Sequence, residues 1–230
     1  MSDKTLYKTS ADNISPGAEK YELNPDWTIG EVLTEAWKLK DGFKSTYWGA
    51  ILVYSVIVGI TSGGSKLIGE DASLTLLLWQ LITSLLTLPL VAGLLMIAIR
   101  RSVGIPTRTS MVFDYYPKTI PIFLLYLLMV VLILFGFVLL VLPGVYLVFA
   151  YMLAVPLLVD KNMGIWEALE TSRKAITPCW FRTFALCIVS SIIMAVSAIP
   201  LGIGLIWTLP FVGLIMAIVY RNIVGVAQSG

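Results

Sequence analysis

Apolar residues come in six long blocks along this chain, over about 47–62, 74–99, 119–140, 143–159, 181–199 and 202–220. Each is near the ~20 residues that a helix needs to cross a hydrocarbon layer of ~30 Å. Inside lipid there is no water to bond the backbone, so every block predicts a helix that satisfies its own N–H and C=O groups. The expected fold is all-α, a polytopic membrane bundle of six transmembrane helices.

Three stretches outside the blocks follow another pattern. In 28–43, Ile29, Val32, Leu33, Ala36, Trp37 and Phe43 share one helical face, with Glu31, Glu35, Lys38 and Asp41 opposite. Thr28 and Glu31 have the spacing of a capping box. In 164–176, Ile165, Ala168, Leu169, Ser172 and Ile176 share a face, while Glu167, Glu170 and Lys174 lie elsewhere and Thr177-Pro178 ends the run. A shorter stretch, 109–116, contains Met111, Val112, Phe113, Tyr115 and Tyr116. All three predict amphipathic helices, either lying in the membrane interface or packed on the bundle, and the two placements are compatible. The first helix is expected to bury Val32, Leu33 and Trp37 on one face, the second Ala168 and Leu169. Trp37 and Trp166 suit headgroup depth.

Composition narrows the picture. The 230 residues are 58% hydrophobic and 13% charged, with a mean hydropathy of +0.88. Soluble domains run at roughly a quarter charged, so a soluble domain and a wholly disordered chain are both excluded. The net charge of +2 says little; its distribution says more. Lys4, Lys8, Lys20, Lys38, Lys40 and Lys44 precede the first block, and Arg100, Arg101, Arg108 and Lys118 follow the second. Lys161, Arg173, Lys174 and Arg182 follow the fourth, and Arg221 follows the sixth. Lys66 alone falls on the other side. This asymmetry predicts both termini in the cytoplasm. The first block starts at Tyr47, too late for a cleaved secretory signal, so the chain is expected to keep its N-terminus. The domain plan is a flexible tail over 1–27, a six-span domain over 28–225 and a short C-terminal segment over 226–230. Short proline–glycine turns are expected to join spans three and four at 140–144, and spans five and six at 199–202. A polar outer loop is expected at 61–73.

Candidate chemistry is sparse. The chain has no histidine and two cysteines, Cys179 and Cys187, which lie off any CxxC spacing and read as inert thiols. The hydroxyls within the blocks, such as Ser84, Thr87, Ser190 and Ser191, have no base to activate them and read as bonded within or between helices. Glu31, Glu35, Glu167 and Glu170 read as the wet faces of amphipathic helices rather than a metal site. No catalytic, cofactor-binding or metal-ligating residue is expected, and no cofactor. No ionisable residue falls mid-block, which argues against an ion relay.

Two segments match each other. Leu88-Pro89-Leu90-Val91-Ala92-Gly93-Leu94-Leu95-Met96 through Arg101 aligns with Leu209-Pro210-Phe211-Val212-Gly213-Leu214-Ile215-Met216 through Arg221 after a one-residue gap. Upstream, Glu31, Leu33 and Lys38 match Glu167, Leu169 and Lys174 at a constant offset. This predicts a parallel internal repeat of amphipathic helix, span, and proline-containing span; spans three and four can form a third, diverged unit. Pro89 and Pro210 are candidate hinges, or simple bends that let the helices pack. Ser55-Gly59-Gly63 is a small-xxx-small line able to meet another span or another subunit, so a homo-oligomer stays open.

Leu142-Pro143-Gly144-Val145-Tyr146-Leu147, Pro156-Leu157-Leu158-Val159-Asp160, and Trp166-Glu167-Ala168-Leu169-Glu170-Thr171-Ser172-Arg173-Lys174 followed by Trp180-Phe181 resemble the YciC-type family of bacterial inner-membrane proteins. The pattern is also similar to the membrane region preceding some glycerophosphoryl diester phosphodiesterases, whose catalytic domain is missing here. The resemblance implies a six-span protein of the bacterial inner membrane and no reaction. Together the residues predict a non-enzymatic scaffold, or a component that binds membrane lipids or other membrane proteins. Its candidate contact residues are Val32, Leu33, Trp37, Trp166, Ala168 and Leu169; no nucleic-acid partner is expected. The alternative is a transporter or flippase-like conduit for a small or amphipathic substrate, with Pro89 and Pro210 as its hinges.

Overall fold

The computed structural model describes residues 23–65, 73–199 and 204–226. Of the tail expected over 1–27, residues 1–22 lie outside the described residues, while 23–27 are docked, with Trp27 buried and the Asn24 amide bonded to the Ile223 carbonyl. Of the outer loop expected at 61–73, residues 61–65 and 73 are helical and 66–72 lie outside the described residues, as do 200–202 of the turn expected at 199–202 and residues 227–230. Among those described, every regular element is a helix. In chain order these are α1 (Ile29–Leu39), α2 (Lys44–Ser65), α3 (Ser73–Ser102), α4 (Thr119–Leu139), α5 (Val141–Ala150), α6 (Ala154–Asp160), α7 (Ile165–Ile176), α8 (Trp180–Ala198) and α9 (Leu205–Val224). They supply six stretches long and apolar enough to cross a bilayer: α2, α3, α4, α5 with α6, α8, and α9. The chain is a six-span helical membrane protein.

α1 starts as its sequence predicts. The Thr28 hydroxyl accepts from the Glu31 amide at 3.3 Å, and the Glu31 carboxylate accepts from the Thr28 amide at 3.2 Å, so two orphan donors at the helix start are satisfied. Two other expectations need correction. The stretch at 109–116 is not an α-helix but a pair of 3-10 turns, Thr109–Phe113 and Tyr116–Lys118. Pro117 offers no amide to the Phe113 carbonyl and disfavours helical geometry at Tyr116 before it. The fourth span is not continuous either, because α5 stops at Ala150 and α6 begins at Ala154. Pro156 would cost a hydrogen bond in an unbroken helix. With the break it falls in the first turn of α6, where amides have no intrahelical partner anyway.

The tight turn between spans three and four also differs from expectation. Leu140 alone is extended (φ −165°, ψ 152°), and Pro143 and Gly144 already belong to α5. Gly144 serves packing instead. A Cβ there would lie 2.4 Å from the Phe137 ring, and one on Gly136 would lie 3.1 Å from the Gly144 backbone. Glycine lets α4 and α5 close up where any side chain would hold them apart.

Burial is distributed unevenly among the spans. Of the apolar stretches of the first, third and fifth spans, 11–22% is buried within the protein, against 44–50% for the second, fourth and sixth. The even-numbered spans are inner and the odd-numbered ones outer. Burial also runs along each inner span. Leu90 and Ile97–Ile99, Ala154–Val159, and Leu214–Tyr220 except Met216 are buried, whereas Leu74, Leu77, Leu81 and Leu142 are exposed. The core therefore sits at the end where the charged connections gather, and the opposite end spreads apolar side chains toward lipid. α3, at 30 residues, is about 45 Å long at 1.5 Å per residue. It outruns a ~30 Å hydrocarbon layer, so its last turns stand in the charged layer.

The elements that precede the outer spans follow one rule. α1 packs on α9, the turns at 109–118 pack on α3, and α7 packs on α6. Each lies against the inner span that precedes its own outer span around the molecule.

Candidate functional site at the charged end

α1 is held by the two arginines that close the matching segments. The Arg221 guanidinium donates to both carboxylate oxygens of Glu35 at 2.7 Å and to the Ser102 carbonyl at 2.7 Å. Such a fork-to-fork pair fixes orientation as well as charge. Arg221 beside it holds the Glu35 carboxyl below the usual carboxylate range. Arg101 donates to the Asp41 carbonyl at 2.7 Å and the Leu39 carbonyl at 3.4 Å, capping carbonyls at the end of α1 that have no intrahelical donor. At its other end, Arg182 donates to the Trp27 carbonyl at 2.9 Å and the Asn24 amide donates to the Ile223 carbonyl at 2.9 Å. Sequence reasoning noted both repeat arginines as charge markers and missed them as clamps.

Clamped this way, α1 buries Val32 and Ala36 completely and Leu33 in part. Trp37 departs from the expected buried face. It is 59% exposed, its ring edge-on to Phe211 at 5.9 Å, with the Lys40 ammonium over its face. The helix turns Trp37 to the border between its buried and polar sides, where an amphipathic ring covers apolar surface while staying at the surface. Beside it runs an apolar groove of 450 Å³ between α1, α8 and α9. Leu33, Trp37, Ile193, Trp207 and Phe211 line it, with Lys38 at its rim. Lys44 stands 5.7 Å over the Trp207 ring.

α7 is built differently. Ala168, Leu169, Thr171, Ser172, Ala175 and Ile176 are all buried, so it is wedged into the bundle, and only Trp166, 64% exposed, faces outward from its start. Ser172 explains why the wedge fits. Its hydroxyl accepts from the Leu153 amide at 3.1 Å and donates to the Ala150 carbonyl at 2.7 Å. Both groups are freed by the break between α5 and α6, and a buried orphan would be costly. The sequence signal was a lone polar residue on an apolar face.

Each acid on the amphipathic helices has a local partner. Glu31 caps α1, Glu35 takes Arg221, and Glu167 accepts from the Gly164 amide at 3.3 Å. Glu170 pairs with Arg173 at 2.7 Å and Lys174 at 3.3 Å. Among the described residues no group of three or more histidine, cysteine or acidic side chains could hold a metal. Cys179 is buried and Cys187 half-buried.

Both candidate hinges, Pro89 and Pro210, are buried. Pro210 leaves the Ile206 carbonyl without its helical donor, and Trp48 Nε1 supplies one at 2.9 Å. Pro89 frees the Leu85 carbonyl, and the Tyr116 hydroxyl donates to the neighbouring Leu86 carbonyl at 2.9 Å. Aromatic donors from neighbouring elements thus bond the turn before each proline. Four hydroxyls within the spans bond back to their own helices: Ser84 to the Gln80 carbonyl, Thr87 to Thr83, Ser190 to Leu186 and Ser191 to Cys187, each at 2.8 Å, whereas the Thr83 hydroxyl is buried without a partner among the described residues. Ser55, Gly59 and Gly63 are exposed on α2.

No family profile matches the chain, and no curated protein or solved structure is significantly similar to it.

Proposed function

We propose that this chain is a non-enzymatic component of a bacterial inner membrane, with both termini cytoplasmic, that binds lipids or membrane-protein partners through α1 and α7. Membership of the YciC-type family belongs to the same proposal and rests on the residues between Leu142 and Phe181 quoted above. The observation that carries the reading is the groove beside α1. It is apolar within, cationic at its rim, and flanked by an exposed tryptophan on a helix that two arginines hold in place. An amphipathic ligand surface needs that combination of apolar floor and charged border. The packing of the inner spans supports three diverged units of one design, each an amphipathic element followed by an outer and an inner span. The conduit reading gains nothing comparable, since Ser84, Thr87, Ser190 and Ser191 bond their own helices and the turn before each proline is bonded by a neighbouring aromatic side chain.

The test is purification in mild detergent with co-purifying lipids and proteins identified, comparing Trp37→Ala and Leu33→Glu with Ser84→Ala and Ser190→Ala. At equal abundance, the first pair should lose associated lipid or protein and the second should keep it. Loss confined to the serine variants would favour the conduit and sink this reading.

A further inference from the structure

A second cavity, of 360 Å³, opens at the charged end between the last turns of α3, the start of α4 and the end of α6, and Arg100, Lys118, Tyr115, Asp160 and Asn162 line it. Its two facing cations have donors to spare. Lys118 gives two of its three N–H groups to the Val159 carbonyl at 2.7 Å and to the Asn162 side-chain oxygen, which leaves one. Arg100 has five N–H groups. Among the described residues it meets only Asp114, at 3.8 Å, beyond hydrogen-bonding reach. The acid on the wall is already engaged. Asp160 accepts from the Tyr220 hydroxyl at 2.8 Å and lies 3.9 Å from the Lys161 ammonium, with both charged side chains under a tenth exposed. The lining is therefore cationic in net terms, and its guanidinium and ammonium call for an acceptor with several oxygens.

Depth narrows the choice. Arg100 is in the last turns of α3, and Lys118 immediately precedes α4, so both sit where spanning helices leave the hydrocarbon. Basic pockets between membrane helices at that level suit phosphate-bearing headgroups, and a guanidinium fork matches phosphate oxygens two at a time. Met96, Ile105, Val159 and Val226 give the same cavity an apolar wall. We propose that this cavity binds a phosphate oxyanion between Arg100 and Lys118, presented by the headgroup of an anionic membrane lipid. The site stands apart from the α1 groove, so the two proposals fail separately.

The experiment uses the full chain in mild detergent. Native mass spectrometry with equal phosphatidylglycerol and phosphatidylcholine is paired with thermal unfolding at increasing inorganic phosphate. The wild type should retain phosphatidylglycerol about ten-fold over phosphatidylcholine, a difference of about 1.4 kcal/mol. Arg100→Gln and Lys118→Gln should abolish that preference, while Arg108→Gln, exposed and off the cavity, should keep it. Lys118 also braces Val159, so if Lys118→Gln fails to fold, Arg100→Gln decides, since no described hydrogen bond depends on that guanidinium. Stabilisation by inorganic phosphate that depends on Arg100, without lipid preference, would support the oxyanion site but assign a soluble source. A wild type that shows neither lipid preference nor phosphate stabilisation, or a folded Arg100→Gln variant that behaves as wild type in both assays, would overturn the proposal.

Discussion

Ser172→Ala is a small substitution with a large expected cost. The hydroxyl is buried on α7 and serves two groups in the broken fourth span, the Leu153 amide and the Ala150 carbonyl. Removing it leaves a buried donor and a buried acceptor unpaired, at about 1–3 kcal/mol each. Relaxation of the break and partial re-pairing reduce the sum, so a loss of about 2–4 kcal/mol is expected. In a chain of this size 1 kcal/mol moves the midpoint by about 2–4 °C, which puts the drop in Tm at about 4–16 °C in the same detergent. Ser190→Ala is the control. Ser190 is also buried, but its hydroxyl only adds a bond to the Leu186 carbonyl inside its own helix, and that loss should move Tm by no more than about 1–2 °C. Thermal unfolding followed by tryptophan fluorescence at fixed detergent and lipid measures both. If the two variants shift Tm equally, Ser172 is not the support of the break, and the account of why span four can interrupt its helix is wrong.

Further outcomes follow from other contacts. Trp48→Phe should lower Tm by about 2–4 °C, since one net hydrogen bond of about 1 kcal/mol is lost. The effect should vanish in a Pro210→Ala background, where the amide restored at position 210 serves Ile206 instead. Glu35 has a folded pKa below 4.5 because of Arg221, so its ion pair stabilises the fold above that pH and fades as pH falls through the depressed value. The Tm gap between wild type and Glu35→Gln should accordingly be widest near neutrality and close as pH drops below 4.5. Cysteine labelling at Ser2, Gly69 and Ser229 in a cysteine-free background should find only Gly69 outside, and an outside-facing N-terminus would refute the charge argument.

The spans and the start of α1 were legible because each rests on a local pattern. Apolar block length sets the spans, and the Thr28–Glu31 spacing sets a cap that closes on itself. The break in span four was hidden because 143–159 is apolar throughout, and hydropathy does not register a missing amide. Pro156 was the local sign of it, but whether a proline kinks a membrane helix or splits it depends on what meets the freed groups. Here that partner is Ser172, from the next helix. Trp37 was misplaced for a related reason. A helical wheel assigns a residue to a face, but its burial depends on how far α9 extends alongside, and Phe211 meets only the edge of the ring. The Arg100–Lys118 cavity was invisible, because those residues come from separate connections and read singly as positive-inside charges.

The arrangement of the inner spans gives these separate contacts a common cause. Pro89, Pro156 and Pro210 lie in the second, fourth and sixth spans, all three are buried, and each falls at or within the buried stretch of its span. A proline frees a carbonyl one turn back, so a helix carrying one is best placed where a neighbouring element can bring a donor. In the sixth span Trp48 meets the freed Ile206 carbonyl itself; in the second Tyr116 reaches the neighbouring Leu86 carbonyl, and in the fourth Ser172 serves the Leu153 amide and Ala150 carbonyl at the break. In each case the donor comes from the element before an outer span or from that span's first turns. The same meeting points need close backbone approach. A Cβ on Gly93 would lie 2.4 Å from the Val112 carbonyl, and one on Gly213 would lie 2.5 Å from the Tyr47 hydroxyl. At the sixth span proline and glycine therefore act together: Pro210 opens a hydrogen-bonding vacancy that Trp48 fills, and Gly213 makes room for the adjoining Tyr47. That pairing locks the start of α2 against α9, beside the α1 that Arg221 clamps to the same span, which is why the groove proposed to carry function lies at the point where the chain closes on itself.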